Sequence, residues 1–461
     1  MKLKDLSANY QNLLDTQVTV NGWVLSVRSQ KDVTFIKLND GSNANGVQLI
    51  AETNFKELEK VNTGTSLSVT GLLVKSPANG QPYEIKISLV KVFGYTNLDD
   101  YPLAKGKLSL EYLRTYPHLR MRTSAFGSIF RIKSAISQAT NTFFKKRDFL
   151  YINPNIITGN ECEGGAGVFQ LTEQDISNHS NLSTIKETTI HDWSLDHFGK
   201  PTYLTVSSQL QLEAIACSLG SIYTTNKSFR SEHSTTNKHL SEFEHLEIED
   251  VFINIDELMQ IGEDYIKYVG QYLLKNCMED INNLGKFVSK GLKERIETII
   301  ETTFHRIKYV EAIEILKKAP KLSKPVIYGE DLCSEFENYL TEYFKGPVFV
   351  SHWPIAIKSF YMKRCIDKET CESFDLLMPY KVGELIGGSI REDDLDTMLE
   401  VMKQKCVNAE PLQFYLDMRR FGTVPHGGFG LGLDRMCMMY TGMESIKDVV
   451  AFPVSYKNCN Y

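Results

Sequence analysis

The chain has 461 residues, 42% of them hydrophobic, and a formal net charge of −6, so it can bury a large core and divide into two or more domains. That charge argues against a protein that coats nucleic acid indiscriminately, which needs a broad cationic surface, and any RNA contact has to be local. No apolar run is long enough to span a bilayer, the first ten residues lack the design of a secretory signal, and the nine cysteines are scattered without a CxxC pair, so a cytoplasmic protein with reduced thiols, no membrane contact and no zinc site is expected.

From the N-terminus, five β-rich runs follow one another: Val18 to Val27, Val33 to Asn39, Val47 to Ala51, Ser66 to Val74 and Glu84 to Val92. Asp40-Gly41 is the turn signal between the second and third, and Phe55 to Val61 reads as a short helix before the fourth. This order fits an OB-fold, whose sheet face binds single-stranded nucleic acid, and periodicity alone fits another small barrel equally well. A polar, basic stretch separates it from a helical pattern over Phe126 to Arg147, which places domain boundaries at 1–95, 96–125 and 126–461. The cations between Tyr101 and Asp148, among them Arg114, Arg120, Arg122 and Arg131, read either as a local RNA-facing zone or as a solvated helix surface with a linker. Beyond them, strand-like segments (Pro201 to Val206, Phe243 to Glu249, Val348 to Ser351, Phe374 to Met378) alternate with helical ones (Gln209 to Ser218, Ile255 to Leu273, Leu292 to Thr302, Asp394 to Lys405). An antiparallel sheet with flanking helices, an α+β domain, is the architecture expected.

Three distant segments look chemical: Phe229-Arg230-Ser231-Glu232 with Lys238-His239-Leu240-Ser241-Glu242-Phe243; Phe374-Asp375 with Glu384 and Gly387-Gly388-Ser389-Ile390-Arg391; and Gly427-Gly428-Phe429-Gly430-Leu431-Gly432-Leu433-Asp434-Arg435, a glycine-rich strand entering a helix. Each alone also fits a hairpin, an acidic loop or a tight turn. Together they supply fixed guanidinium groups, two carboxylates for a divalent cation and an aromatic face, which is what nucleotide chemistry needs. No Ser/His or Cys/His pairing accompanies them, and chemistry at a nucleotide phosphate does not require one: it needs in-line placement and positive charge, not a protein nucleophile.

These segments resemble the second and third signature motifs of class II aminoacyl-tRNA synthetases, in the subgroup of the aspartyl, asparaginyl and lysyl enzymes with an N-terminal anticodon-binding OB-fold. The strings Tyr203-Leu-Thr-Val-Ser-Ser-Gln-Leu210, Ser359-Phe-Tyr-Met-Lys363 and Arg419 to Arg435 are most similar to the asparaginyl branch. The resemblance implies activation of asparagine with ATP and transfer to tRNA(Asn). It implies that Arg230 holds the α-phosphate, Glu232 the adenine amino group and His239 the terminal phosphates. Phe243 and Arg435 would cover the two faces of adenine, Arg435 also reaching the γ-phosphate, and Asp375 and Glu384 would bind Mg²⁺. Arg230 and Arg435 are the catalytic pair, and Glu163, Gln209, Glu213 and Arg391 the amino-acid contacts. Arg28, Phe35, Gln48 and Glu84 would grip the anticodon, and Pro154 implies a homodimer. Leu212 stands where aspartyl enzymes carry a lysine, so a pocket of Arg391 and Glu213 would favour asparagine over aspartate. Lys238, Glu244, Phe336 and Val454 depart from the family pattern. The alternatives are an aspartate-specific or non-discriminating synthetase, an amidotransfer or ligase enzyme on the same fold, against which the N-terminal barrel speaks, and a non-catalytic paralogue, against which the intact Arg230, Asp375, Glu384 and Arg435 speak.

Overall fold

The computed structural model describes residues 1–461 except 31–32, 53–54, 79, 104–107, 161–166, 179–181, 187 and 189. The chain forms two compact units, Met1–Ala135 with Leu273–Lys293, and Ile136–Tyr272 with Glu294–Tyr461.

The first unit opens with helix α1 (Leu3–Leu13), whose Leu3 and Leu6 are fully buried. Strands β1 (Gln17–Gln30), β2 (Val33–Asn39), β3 (Val47–Ala51), β4 (Ser66–Lys75) and β5 (Tyr83–Gly94) close a barrel in the order β1-β2-β3-β5-β4. All pairs are antiparallel except β3 with β5, which is the OB-fold arrangement. Alternation explains it: Val18, Val20 and Val24 of β1 and Leu67, Val69 and Leu73 of β4 point inward and join Leu3 and Leu6 in one core. Gly71 breaks the inward series at a register shift, where a Cβ would stand 2.2 Å from the Lys86 carbonyl oxygen.

The β2–β3 hairpin connection that Asp40-Gly41 opens runs on to Gly46, and side chains hold it. Asp40 accepts from Leu3 N at 2.9 Å and from Ser42 N at 2.9 Å, and Glu279 Oε1 accepts from Ala44 N at 3.0 Å and Asn45 N at 2.9 Å. Short helices α2 (Leu110–Arg114) and α3 (Pro117–Arg120) lead into the long α4 (Ser124–Lys146). Two arginines of the basic zone are engaged internally. Arg120 is buried with its guanidinium 4.5 Å from the Phe126 ring, and Arg131 pairs with Asp280 at 2.7 Å and donates to Gly41 O at 2.7 Å.

The second unit is built on an eight-stranded sheet. In chain order its strands are β6 (Leu150–Tyr151), β10 (Ile222–Phe229), β11 (Glu242–Val251), β12 (His305–Lys308), β13 (Val348–Ser351), β14 (Ser373–Met378), β15 (Gly383–Ile390) and β16 (His426–Gly432); the spatial order is β12-β13-β14-β15-β16-β11-β10-β6. The central pairs are antiparallel, and only the outermost pair at each edge is parallel. Strands β7 (Ile157–Thr158), β8 (Gln170–Leu171) and β9 (Thr202–Leu204) make a small separate sheet. Helix α5 (Gln209–Leu219) follows β9, and α6 (Ile255–Asn276) follows β11. Gly262 lets α6 lie close to the sheet, where a Cβ would meet Ile386 at 3.3 Å and Phe349 and Phe429 at 3.8 and 3.9 Å. Helix α7 (Met278–Phe287) belongs to the first unit. The remaining helices are α8 (Leu292–Glu301), α9 (Tyr309–Lys317), α10 (Ser334–Phe344), α11 (Leu395–Gln404), α12 (Gln413–Arg420) and α13 (Leu433–Thr441). Helices α9 and α10 bury Ile313, Leu316, Phe336 and Leu340 against Val348, Val350 and Trp353, while α11 and α12 share a second core with Phe360 and Tyr361. Among the described residues no helix is long and apolar enough to cross a membrane, and the eight described cysteines are free thiols.

Removing the Glu279 carboxylate by Glu279→Ala leaves two loop amides without their acceptor, one of them the buried Ala44, a loss of about 1–3 kcal/mol. Hydrogen exchange over residues 40–46 should quicken by about tenfold or more; unchanged exchange would show that this carboxylate does not tie the loop.

Candidate active site and nucleic-acid cleft

Strand β11 carries the site. Its alternation sends Leu246 and Ile248 into the core, both fully buried, and Phe243, His245, Glu247 and Glu249 to the other face. Directly paired with His245, Glu247 and Glu249 on β16 are Gly432, Gly430 and Gly428, while Phe429 and Leu431 turn to the core. Gly387 of β15 pairs in turn with Gly430. The centre of this face is therefore a floor without side chains. A Cβ at Gly428 would stand 2.1 Å from Ile248 O and 2.4 Å from Glu249, and one at Gly430 2.6 Å from His245 Nε2. The glycine-rich string leaves space that the β11 side chains and backbone need, and it leaves this part of the sheet face open.

At one end of the floor, Arg230 follows β10, its amide donating to Ser241 O at 2.9 Å, and its guanidinium lies 5.4 Å from the Phe243 ring centroid. Glu232 stands 4.0 Å from His239 Nε2. Burial lowers the pKa of His239, Glu232 opposing it, and Arg435, Arg230 and Lys238 lower it further. Arg435, in the first turn of α13, donates to the Glu384 carbonyl at 2.5 Å. The floor's side is acidic. Above Gly387 a Cβ would meet Glu384 Oε1 at 3.1 Å and Asp375 Oδ1 at 3.7 Å, so both carboxylates face one space. Asp375 Oδ2 accepts from Lys358 at 2.8 Å. Burial pushes Asp375 up to about 7; Lys358 pulls it down and the Glu384 charge pushes it up. Two carboxylates that repel across a shared space, beside donors that do not neutralise both, fit a bound divalent cation.

At the other end lies a buried ionic cluster. Glu213, in α5, is fully buried. Its Oε2 accepts from Tyr415 OH at 2.7 Å and Arg419 Nη2 at 2.9 Å and lies 3.2 Å from His426 Nε2. Its Oε1 accepts from Gln209 at 2.9 Å and stands 3.7 Å from Arg391 Nε. Burial pushes Glu213 up, but the His426 hydrogen bond and the charges of Arg419 and Arg391 outweigh it and hold the group well below the usual carboxylate range. Arg391 pairs with Glu249 at 2.5 Å and donates to Ser389 Oγ at 2.8 Å. Burial pushes Glu249 up to about 8; Arg391 opposes this and the Glu213 charge adds to it. Leu212 points elsewhere, into an apolar cluster with Ala216 and Ile222, so the charge here is set by position 213 rather than 212. Glu163 lies outside the described residues.

The structure thus gathers Arg230, Glu232, His239, Phe243 and Arg435 with Asp375 and Glu384 along the floor, and Gln209, Glu213 and Arg391 in one cluster. Sequence reasoning missed Glu247 and Glu249, which period-two alternation from Phe243 would have found. Glu247 accepts from Ser208 N at 3.0 Å and from Ser207 Oγ, and so fixes the start of α5 that carries Gln209. It also missed Glu337 of α10, which approaches Gly383 together with Lys238. Burial, then the Glu384 charge, pushes Glu337 up to about 7 against Lys238 and Arg435. No local signal marks it. Of the departures from the family pattern, Phe336 is buried in the α9–α10 core and Val454 offers its carbonyl to Ser241 N at 2.9 Å. Glu244 turns to the opposite face of the sheet, lining a cavity of about 150 Å³ with Ser137, Lys227 and Leu433.

Two sequence profiles match: that of tRNA synthetases class II (D, K and N) over residues 109–456, and that of OB-fold nucleic-acid-binding domains over residues 18–93. An asparagine–tRNA ligase of Borreliella burgdorferi is 43% identical, the match covering 99% of this chain and 98% of the relative; one of Cytophaga hutchinsonii is 41% identical with 98% of each covered. The chain belongs to the asparagine–tRNA ligase family of class II tRNA synthetases. The crystal structure of asparaginyl-tRNA synthetase from Pyrococcus horikoshii complexed with asparaginyl-adenylate superposes with a TM-score of 0.85 at 29% identity, covering 97% of each chain.

In the barrel of this synthetase, Arg28, Phe35, Gln48 and Glu84 line one cleft of about 830 Å³. Phe35 is cross-strand partner to Arg28 and to Ile50 and is half-buried, whereas its neighbours Ile36 and Leu38 fill the core. Glu84 is buried and accepts from Ser76 at 3.0 Å and Gln81 at 3.3 Å. Lys37, two residues from Phe35 on the same face, also lines the cleft, and burial lowers its pKa; alternation from Phe35 would have named it.

The glycine floor makes two substitutions differ. Gly428→Ala drives a Cβ into the β11 backbone and should lower the melting temperature by about 4 °C or more, while Gly430→Ala meets only the movable His245 ring and should stay within about 2 °C. The latter should instead raise the KM for ATP by about tenfold. Equal melting temperatures for the two variants would refute the assignment of Gly428 as the tighter contact.

Proposed function

We propose that the chain activates asparagine with ATP and transfers the asparaginyl group to tRNA(Asn), with the residues named above in the roles their surroundings suit. In the first step a carboxylate oxygen of asparagine bonds to the α-phosphorus of ATP as the bond to pyrophosphate breaks. In the second, a ribose hydroxyl at the tRNA end attacks the activated carbonyl and AMP leaves. No protein nucleophile is needed. The observation that carries this reading is the floor of Gly387, Gly430 and Gly428, with Arg230 and Phe243 at one end and the Gln209, Glu213 and Arg391 cluster at the other. A nucleotide laid on it meets guanidinium charge at its phosphates and has its sugar-phosphate end directed at the amino acid.

Arg230 holds the α-phosphate where negative charge builds up, and removal of such a donor typically costs about 2.7–4 kcal/mol. Phe243 and Arg435 enclose adenine, Glu232 reads its amino group and His239 reaches the terminal phosphates. Asp375 and Glu384 would hold Mg²⁺, which offsets phosphate charge. Glu163, Gln209, Glu213 and Arg391 bind asparagine, and Glu249, paired with Arg391, shapes the same pocket. The aspartate alternative is disfavoured because Arg391 is already matched by buried carboxylates on two sides. Residues 1–95 read the anticodon through Arg28, Phe35, Gln48 and Glu84, residues 96–125 form the hinge, and residues 126–461 carry the chemistry. The exposed apolar residues Leu150 and Tyr151 of the sheet's outermost strand β6, with Ile156 and Ile157 just beyond Pro154, support a homodimer. The protein works in the cytoplasm.

ATP–pyrophosphate exchange measured with each of the twenty amino acids tests the reading. Exchange with asparagine is expected to exceed that with aspartate by about a hundredfold, or roughly 2.7 kcal/mol. Exchange with none of them would end it. Glu384→Ala should nearly abolish exchange, and activity within about threefold of the unmodified protein would put the metal ligands elsewhere. Phe35→Ala should weaken tRNA charging by the loss of a stacking contact typically worth about 1–3 kcal/mol while leaving exchange unchanged; equal loss in both assays would contradict the division of labour.

A further inference from the structure

The resemblance places Glu213 in the amino-acid pocket, and in the structure its Oε2 is already occupied. Tyr415 and Arg419 come from α12, His426 from the start of β16, and all converge on Oε2. Arg419 is the charged member. Its side chain and that of Glu213 are both fully excluded from solvent, its Nε donates to Glu392 O at 2.9 Å, and its guanidinium lies 4.0 Å from the Tyr415 ring. Those contacts hold it rigidly on Glu213.

We propose that Arg419 is a specificity-determining positioning residue for the amino-acid pocket: it cancels the Glu213 charge, so that Arg391 is left to face the substrate rather than being drawn onto Glu213. This rests on the asparagine reading above. Arg391 Nε already stands 3.7 Å from Glu213 Oε1, and the same Nε together with Nη2 donates to the Glu249 carboxylate at 3.3 and 2.5 Å. Without Arg419, an uncompensated buried carboxylate would pull Arg391 across that gap, because a buried charge has to find a partner. With Arg419 but without the Glu213 charge, the pocket would gain one net positive charge and favour a carboxylate over an amide. A neutral Glu213–Arg419 pair is therefore what suits a neutral side chain.

The test is a charge cycle on the full-length protein, read by pyrophosphate exchange with asparagine and with aspartate. Glu213→Gln should lower the asparagine-to-aspartate ratio of kcat/KM by about tenfold or more. Arg419→Met should leave that ratio no lower and raise the KM for asparagine by about tenfold, with kcat within about threefold. The combined variant restores neutrality and should return the ratio to within about threefold of the unmodified protein, and removing both buried charges is also less disruptive to folding than removing one. Tyr415→Phe, which deletes a hydrogen bond but no charge, should leave the ratio within about threefold, and Arg419→Lys should recover part of the KM lost in Arg419→Met. Should Arg419→Met fail to fold, the Lys and combined variants carry the comparison. A combined variant that keeps the lowered ratio of Glu213→Gln, or an Arg419→Met enzyme with unchanged KM for asparagine, would overturn the proposal. Preference of the unmodified protein for another amino acid would overturn the functional reading and this inference with it.

Discussion

Alternate residues of β16 have no side chain because their partners on β11 do. Gly432, Gly430 and Gly428 stand opposite His245, Glu247 and Glu249, and this one register decides where a ligand can lie. Glycine weakens a strand interior, and the weakness is offset on the other face. There Phe429 and Leu431 pack with Leu246, Ile248 and Ile386, all buried, and α6 comes close at Gly262. A slip of one residue would put Phe429 and Leu431 on the floor and three glycines in the core. The same register therefore fixes both the core and the open floor proposed to hold the nucleotide.

The second constraint is that this face is charged and enclosed. Four acidic groups that border the floor meet a counter-charge or a set of donors: Asp375 meets Lys358, Glu249 meets Arg391, Glu213 meets Arg419, and Glu247 meets the amide and hydroxyl that begin α5. These partners come from separate elements, so the chemistry-bearing residues are positioned by the packing of α5, α12 and the central strands together. The raised pKa of Asp375 and of Glu337 reflects the one region where acidic groups crowd faster than cations answer them, beside Glu384. That is also where phosphate-bearing substrate and its metal would bring charge.

Much of the barrel was legible because its strands alternate cleanly: the five runs read from sequence fall within a residue or a few of β1 to β5. Helix α1 is not among the elements read from sequence although Leu3, Leu6, Tyr10 and Leu13 carry a helical period, since four such positions in eleven residues form a helix here by packing on the barrel core. The Asp40 to Gly46 connection was legible in its bounds and in its Asp40-Gly41 signal, but not in what holds it, because Glu279, which accepts from two of its amides, is more than two hundred residues away in sequence. In the second unit, β14 and β16 were visible, but β10 and β15 were not: Thr224, Thr225, Asn226 and Lys227, and Glu384, Gly387 and Gly388, do not alternate hydrophobic with polar. The site residues read from motifs do come together, since a motif records chemistry. Their supports, Glu337, Tyr415, Arg419 and Lys358, were not singled out, because a partner brought in by tertiary packing leaves no local pattern.

The Glu213–Arg419 pair also shows why stability alone does not account for the pocket. A fully buried ion pair is rarely stabilising relative to apolar side chains of similar volume, because desolvation of both charges offsets their attraction. Leu210 of α5 and Leu416 of α12, the helices that carry the pair, already join Val206, Leu412 and Tyr415 in an apolar core. What the ions provide instead is direction. Arg419 can satisfy Glu213 only from the α12 side, and Gln209 and Arg391 can approach it only from the other. The pair thereby orients a guanidinium at the amino-acid end of the floor without adding net charge to it, a property that shape complementarity between apolar groups cannot supply.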